Sequence, residues 1–162
     1  MISLGIITIS DRSSMGERDD LSGPEIKKWA DNKGYIVKSI SVIPDEKEQI
    51  KRKLIEYSEM NFDLILTTGG TGFAPRDITP EATLSVIDRL APGFAEVMRS
   101  RSLEITPHAM LSRAVAGIRK SSLIINLPGS PKAVRENLQF IESAIPHAVE
   151  LMNEEKNDCG VT

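Results

Sequence analysis

The sequence predicts an α/β domain: three αβα layers built on a mostly parallel sheet. Three observations carry this. Four short apolar runs recur along the chain, "LGIITIS" (Leu4 to Ser10), "YIVKSISVI" (Tyr35 to Ile43), "FDLILTT" (Phe62 to Thr68) and "SLIINL" (Ser122 to Leu127). Three of them are near-continuous rather than alternating, as strands buried on both faces are. Amphipathic helical segments fill the gaps, and strands alternating with helices give parallel sheets joined by right-handed crossovers.

Taken in order, the first run lacks a basic segment before it and is too short to span a bilayer, so it reads as a strand rather than an export signal. "GPEIKKWADNKG" sets Ile26, Trp29 and Ala30 on one face and stops at Gly34. The second strand alternates, which suits a sheet edge. "EKEQIKRKLIEYSEM" sets Ile50, Leu54 and Tyr57 on one face. "TPEATLSVIDRL" begins with Thr79 as expected N-cap and Pro80 as first helical residue. "GFAEVMRSRSLEITPHAMLSRAVAGIRK" reads as two short helices broken near Pro107. "GSPKAVRENLQFIESAIPHAVELMN" opens on Ser130 and Pro131 as one long helix with a kink at Pro146. The 162 residues suit one domain, expected over residues 1–153, with a frayed tail at 154–162.

Apolar residues at 40% and charged residues at 27% lie within the globular range, so disorder is not the default expectation. With 20 basic and 23 acidic residues the formal charge is −3, which argues against nucleic-acid binding but leaves room for a local anion pocket. No membrane segment is visible, and a cytoplasmic protein is expected. The single Cys159 cannot form an intrachain disulfide and reads as an incidental tail thiol. His108 and His147 read as structural or exposed, and no Ser-His-Asp or Cys-His arrangement is present.

Chemistry-capable residues gather where the apolar runs end. In open parallel sheets ligands bind outside the carboxyl ends of the strands. Those ends read "SDR" (Ser10, Asp11, Arg12), "PDE" (Pro44 to Glu46), "TTGGTG" (Thr67 to Gly72) and "NLPGSP" (Asn126 to Pro131). Gly69, Gly70 and Gly72 permit positive φ and close ligand approach, and their amides, with the hydroxyls of Thr67, Thr68 and Thr71, can form an anion nest. The loop is not a Walker A motif, since no Gly-Lys-Ser/Thr follows. Pro75 stands where a dinucleotide fingerprint needs its third glycine. On the glycines alone, a tight turn and an anion cradle stay equally open.

Asp45 and Asp77 each sit just past a strand. Two carboxylates from separate loops, completed by phosphates and water, suit Mg²⁺; helix capping or helix entry is the commoner use of such residues. Arg76 can pair with phosphate or with a surface carboxylate. Pro128 and Gly129 make a turn, and Ser130 opens a helix whose N-terminus can receive an anion. The Asn126 amide can bond a base or the neighbouring loop.

With "GGTGFAPRDITPEAT", "PDE" and "NLPGSPKAV" together, the chain closely resembles the molybdenum cofactor biosynthesis family of MogA and MoaB type, which includes the gephyrin G domain. The resemblance runs from "ITISDRSS" to "SAIPHAVELM". "RDITPEAT" and "TPHAMLSRAVAGIR" look most like its molybdopterin adenylyltransferase branch. The resemblance implies a molybdopterin-binding α/β fold, a homotrimer, and transfer of AMP from Mg-ATP to molybdopterin with release of pyrophosphate. The adenylylated product would pass to a downstream molybdenum insertase. It also implies that Asp45 and Asp77 are the functional, metal-holding aspartates. The family's phosphate and substrate motifs fall on Ser10, Asp11, Gly69, Gly70, Thr71, Gly72, Pro128 and Gly129. A binding module that holds molybdopterin without modifying it would share the fold and the glycine loop; the Asp45/Asp77 pair favours the enzyme.

Overall fold

The structure is a computed structural model that describes residues 1–158. Six strands form one sheet in the order β2-β1-β3-β6-β5-β4. These are β1 (Ser3–Ile9), β2 (Ile36–Ile43), β3 (Leu64–Thr68), β4 (Arg89–Leu90), β5 (Ala116–Arg119) and β6 (Ser122–Leu127). The first four in spatial order are parallel, and β5 and β4 add antiparallel at the far edge. The expected mostly parallel sheet is therefore present, with β2 at the edge its alternation predicts.

The helices are α1 (Asp11–Ser14), α2 (Ser22–Lys33), α3 (Lys47–Glu59), α4 (Thr79–Leu84), α5 (Pro92–Leu103), α6 (Pro131–Ile141) and α7 (Ile145–Asp158). One face of the sheet packs Leu4, Ile6, Leu64, Leu66, Leu123 and Ile125 against Ile26 of α2, Met98 of α5, Leu138 of α6 and Val149 of α7. The other packs Ile7, Ile9, Ile65 and Ile124 against Ile50, Leu54 and Tyr57 of α3 and Ala82 of α4. Consecutive strand residues feed opposite cores, which is why the runs are continuous rather than alternating.

Helix punctuation matches the sequence in two places. Gly34 ends α2 at φ 73°, the left-handed conformation that glycine adopts without a Cβ penalty. The Ser130 hydroxyl accepts from the Ala133 amide at 3.2 Å, ahead of Pro131.

Elsewhere the structure corrects the local reading. Thr79 is the first residue of α4 rather than its cap. Its buried hydroxyl donates to the Gly69 carbonyl at 2.9 Å, so tertiary bonding to the glycine loop takes the oxygen a cap would use. The segment after Pro107 forms a short 3-10 helix (Pro107–Leu111) and then β5, not a second α-helix. The apolar residues of "AVAGI" can serve either periodicity, and pairing with β6 decides it. The last helix is two helices: α6 ends at Ile141, and Pro146 sits at the start of α7, where its missing N–H costs nothing. Cys159 and the end of the expected tail lie outside the described residues.

Strand register positions the site. Ile9 pairs with Ile43, Thr8 with Thr68, and Thr68 with Leu127. Four strands therefore finish level, and the chain reverses its direction of winding between β1 and β3, where such sheets open a crevice.

Candidate active site

A cleft of about 390 Å³ opens at these level strand ends. Ser10, Asp45, Thr68, Gly69, Gly70, Asp77, Gly129 and Ser130 all line it, eight of the residues expected from sequence. Asp45 arrives after β2 and Asp77 at the entry to α4, 32 positions apart in the chain, yet both face one space. Thr71, Gly72 and Pro128 line a second, more apolar cavity of about 270 Å³ on the other side of the same two loops.

The glycine loop needs its glycines. Gly69 lies at φ 97° and Gly70 at φ 67°. A Cβ on Gly69 would collide with the Ile9 carbonyl, and one on Gly70 would collide with the Thr79 hydroxyl and reach Asp45 Oδ1 at 3.0 Å. The Gly69 amide donates to the Leu127 carbonyl at 3.2 Å, and the Gly70 carbonyl accepts from the Thr79 amide at 3.1 Å. The amides of Gly70, Thr71 and Gly72 make no hydrogen bond among the described residues. The loop is thus anchored through its carbonyls and first amide, with three donors left for a ligand.

Asp45 and Asp11 are bonded reciprocally: the Asp11 amide donates to Asp45 Oδ2 at 2.9 Å and the Asp45 amide to Asp11 Oδ1 at 3.0 Å. Asp45 Oδ1 stays unbonded among the described residues, as does Asp77 Oδ1. Asp77 Oδ2 accepts from the Ala74 amide at 3.0 Å and closes a turn. Burial pushes the Asp45 carboxyl above the usual aspartate range; the Asp11 amide opposes this, the Asp11 and Asp77 charges add to it, and Arg76 opposes it.

Asp11, Arg76 and Asn126, all expected at the site, line neither cavity. Arg76 is exposed and grips Asp11 with two bonds, Nε to Oδ2 at 2.6 Å and Nη2 to Oδ1 at 3.0 Å, while Nη2 also reaches Glu46 at 2.8 Å. That grip is the main reason the Asp11 carboxyl sits below its ordinary pKa. Asn126 is fully buried; its amide donates to the Thr67 and Thr83 hydroxyls, each at 3.0 Å, and its carbonyl accepts from the Val115 amide at 3.2 Å. With those partners it ties β6 to β3 and α4.

Several lining residues carried no motif. Asp20 accepts from the Thr8 hydroxyl at 2.8 Å and from the Ser22 and Gly23 amides at 3.2 and 3.0 Å, holding the start of α2 against the cleft. The Ser22 hydroxyl donates to the Gly129 carbonyl at 2.6 Å. An Asp two residues before Ser-Gly-Pro is a helix-entry signal that could have found Asp20. Arg113 lies within the stretch "TPHAMLSRAVAGIR", but nothing in the sequence gives it a role of its own. Its backbone amide donates to the Thr71 carbonyl at 2.8 Å, Nε to the Gly72 carbonyl at 2.7 Å and Nη2 to the Asp77 carbonyl at 2.9 Å, and Nη1 pairs with Glu81.

Free loop amides, a helix N-terminus and two half-bonded carboxylates meet at the topological switch point of an α/β domain, the place where such sheets bind ligands. Residues 5–147 match the family described as "Probable molybdopterin binding domain". The chain belongs to that family. It is 46% identical over 156 residues to the molybdopterin adenylyltransferase of Helicobacter pylori strain J99, covering 93% of this chain and 88% of that protein. It is 49% identical over 160 residues to gephyrin of Dictyostelium discoideum, covering 93% of this chain but only 22% of that longer protein. The molybdopterin biosynthesis enzyme MoaB of Thermus thermophilus superposes with a TM-score of 0.89 at 46% identity, over 94% of this chain and 96% of that one.

Proposed function

We propose that this chain acts in molybdenum cofactor biosynthesis as a molybdopterin adenylyltransferase. One observation carries the reading: in a chain of this family, Asp45 and Asp77 line the same cleft as the Gly69–Gly70 loop and the Ser130 helix start. A terminal phosphate oxygen of molybdopterin forms a bond to the α-phosphorus of ATP. The bond from that phosphorus to the α,β-bridging oxygen breaks, and pyrophosphate departs with the electron pair. The attacking monoester is already anionic at neutral pH, so no protein base is required. Catalysis is then positioning and charge stabilisation. The free amides of Gly70, Thr71 and Gly72 donate to phosphate oxygens, and the Ser130 helix start receives a second phosphate. Ser10, Asp11, Thr68, Pro128 and Gly129 shape and brace this surface. Arg76, whose Nη2 donates to the Asp45 carbonyl at 3.1 Å, is close enough to exchange its carboxylate partners for a phosphate.

Mg²⁺ suits the donor set. No group of three or more His, Cys, Asp or Glu side chains able to hold a metal occurs among the described residues. Two carboxylates with a free oxygen each, completed by substrate phosphates and water, are what Mg²⁺ uses. Asp45 and Asp77 would hold it, and it would supply charge neutralisation at the phosphates and the leaving pyrophosphate.

The deciding assay incubates the protein with molybdopterin, ATP and Mg²⁺ and looks for adenylylated pterin and pyrophosphate. Tight pterin binding without product would make the chain a binding module instead. The resemblance also implies a homotrimer, and exposed Phe73, Leu90, Met110 and Leu151 offer apolar surface for assembly. A sedimentation mass of one chain would overturn that. A cytoplasmic setting accords with this chemistry; among the described residues no helix is long and apolar enough to cross a membrane.

The raised pKa of Asp45 sets a pH dependence. Its ionised form is disfavoured in the fold, so the cost to stability is present above the folded pKa and relieved as pH falls through it. Mg²⁺ needs the ionised form. Its apparent affinity should therefore weaken as pH falls, with a midpoint above that of an ordinary aspartate. Calorimetric Mg²⁺ titrations with ATP between about pH 7.5 and about pH 4.5 check this. A flat profile would remove Asp45 from the metal site.

A further inference from the structure

We infer that Arg113 is a positioning residue for adenylyl transfer: it fixes the peptide planes of the Thr71–Asp77 loop and so aims both the donor amides and the Asp77 carboxylate. The inference rests on the adenylyltransferase reading for its kinetic consequence and on geometry alone for its structural one.

Peptide units are planar, with the carbonyl and the following N–H pointing in opposite directions. Bonding the Thr71 carbonyl to the Arg113 amide at 2.8 Å therefore turns the Gly72 N–H away from Arg113. Bonding the Gly72 carbonyl to Nε at 2.7 Å turns the Phe73 N–H the same way. Neither N–H has a partner among the described residues. At the far end of the loop, Nη2 holds the Asp77 carbonyl at 2.9 Å. Asp77 is at the same time fastened to Ala74, its amide donating to the Ala74 carbonyl at 2.9 Å and its Oδ2 accepting from the Ala74 amide at 3.0 Å. One half-buried guanidinium thus spans both ends of a loop that is otherwise exposed from Phe73 to Arg76.

Glu81 completes the clamp. It lies in the first turn of α4, pairs with Nη1 through Oε1, and keeps Oε2 buried without a partner among the described residues. Burial alone would raise the Glu81 carboxyl; the hydrogen bond from Arg113 leads the interactions that hold it below its ordinary value instead. The fork requirement follows. Three acceptors in different directions are met by Nε, Nη1 and Nη2 of a rigid planar group, and a lysine ammonium of similar reach cannot meet them from one point. Arg113 lines neither cavity, so it acts through the loop.

The test uses Arg113→Lys and Glu81→Gln in the full chain. Arg113→Lys keeps the charge and loses the fork. Its kcat should fall roughly 10- to 100-fold, the cost of a small misplacement of catalytic groups. Molybdopterin Kd, measured without ATP, should change by less than about threefold, since the Gly69 anchors remain. Amide hydrogen exchange at Ala74, Asp77 and Thr79 should accelerate while the strand amides keep their protection. Glu81→Gln removes the charge but keeps an Oε1 that can accept from Nη1, and it leaves the bonds to the Gly72 and Asp77 carbonyls. The clamp's geometry therefore survives, and kcat should stay within about threefold. The proposal is overturned if Arg113→Lys retains wild-type kcat and loop exchange, or if Glu81→Gln loses as much as Arg113→Lys, which would reduce Arg113 to half of an ion pair. Absence of adenylylated product from the wild type would instead defeat the adenylyltransferase reading; the exchange comparison then still decides whether Arg113 orders the loop.

Discussion

Asp77→Asn should abolish turnover while leaving the fold intact. The substitution removes one charge at nearly constant shape. The turn that Asp77 closes survives, because an asparagine oxygen can accept from the Ala74 amide as Oδ2 does at 3.0 Å. What is lost is an anionic oxygen facing the cleft beside Asp45. Metal-assisted charge stabilisation contributes several kcal/mol in phosphoryl-group chemistry. At about 1.4 kcal/mol per tenfold, losing half the carboxylate pair should lower kcat on the order of 10³-fold. Tm should move by no more than about 2 °C, as expected where no packing or buried hydrogen bond is lost. Pterin binding measured without Mg²⁺ should hold or tighten slightly, since a negative charge near the phosphate is gone. Turnover within about threefold of wild type would make Asp77 a turn-closing residue only.

The second large effect is expected at Gly70. Valine there must adopt φ 67°, a conformation costing an L-residue roughly 1–2 kcal/mol and more when β-branched. Its Cβ would also strike the Thr79 hydroxyl and crowd Asp45 Oδ1. Both neighbours belong to the cleft's frame: Thr79 clamps Gly69, and Asp45 lines the wall. Gly70→Val should therefore weaken molybdopterin and ATP binding by about 100-fold or more and lower Tm by several degrees. Gly93→Ala serves as the comparison, because a Cβ there meets nothing within 4 Å and lies early in α5. It should leave binding unchanged. Unaltered pterin affinity in Gly70→Val, measured by fluorescence quenching, would contradict the cradle assignment.

The two variants separate the tasks of one loop. In the proposed mechanism Asp77 works by charge, so its loss should be read in kcat. Gly70 works by leaving space, so its loss should be read in binding. Arg113 works by direction, so its loss should be read in kcat together with loop exchange. The outer pair of Arg76 with Asp11 is solvent-exposed, and such pairs contribute little to stability. Its interest lies in where it holds Asp11, whose amide bonds Asp45 Oδ2.

Much of this was legible before any coordinate. The buried strands, the edge position of β2, the Gly34 stop and the Ser130 cap are local matters, decided by hydrophobic period, backbone permissiveness and side chains bonding their own turn. The glycine loop and the carboxylates were visible as residue types at strand ends. What the amino-acid order could not show was direction. Asn126 reads as a strand-end amide open to ligand, yet register sets it opposite Thr67 and beneath Thr83, where its polar atoms are consumed by the fold. Thr79 reads as a cap, yet a loop ten residues earlier in the chain claims its hydroxyl. Arg113 follows an unremarkable Leu-Ser, and only the approach of three distant carbonyls and Glu81 gives it a task.

Short-range spacing and composition were enough to give the class of fold, a candidate phosphate-cradle loop and the family to which the chain belongs. Long-range geometry was needed to bring Asp45 and Asp77 into one cleft, to turn Arg76 toward Asp11, and to run the edge strands antiparallel. Each of those depends on strand register and on contacts between residues far apart in the chain, which no local pattern encodes.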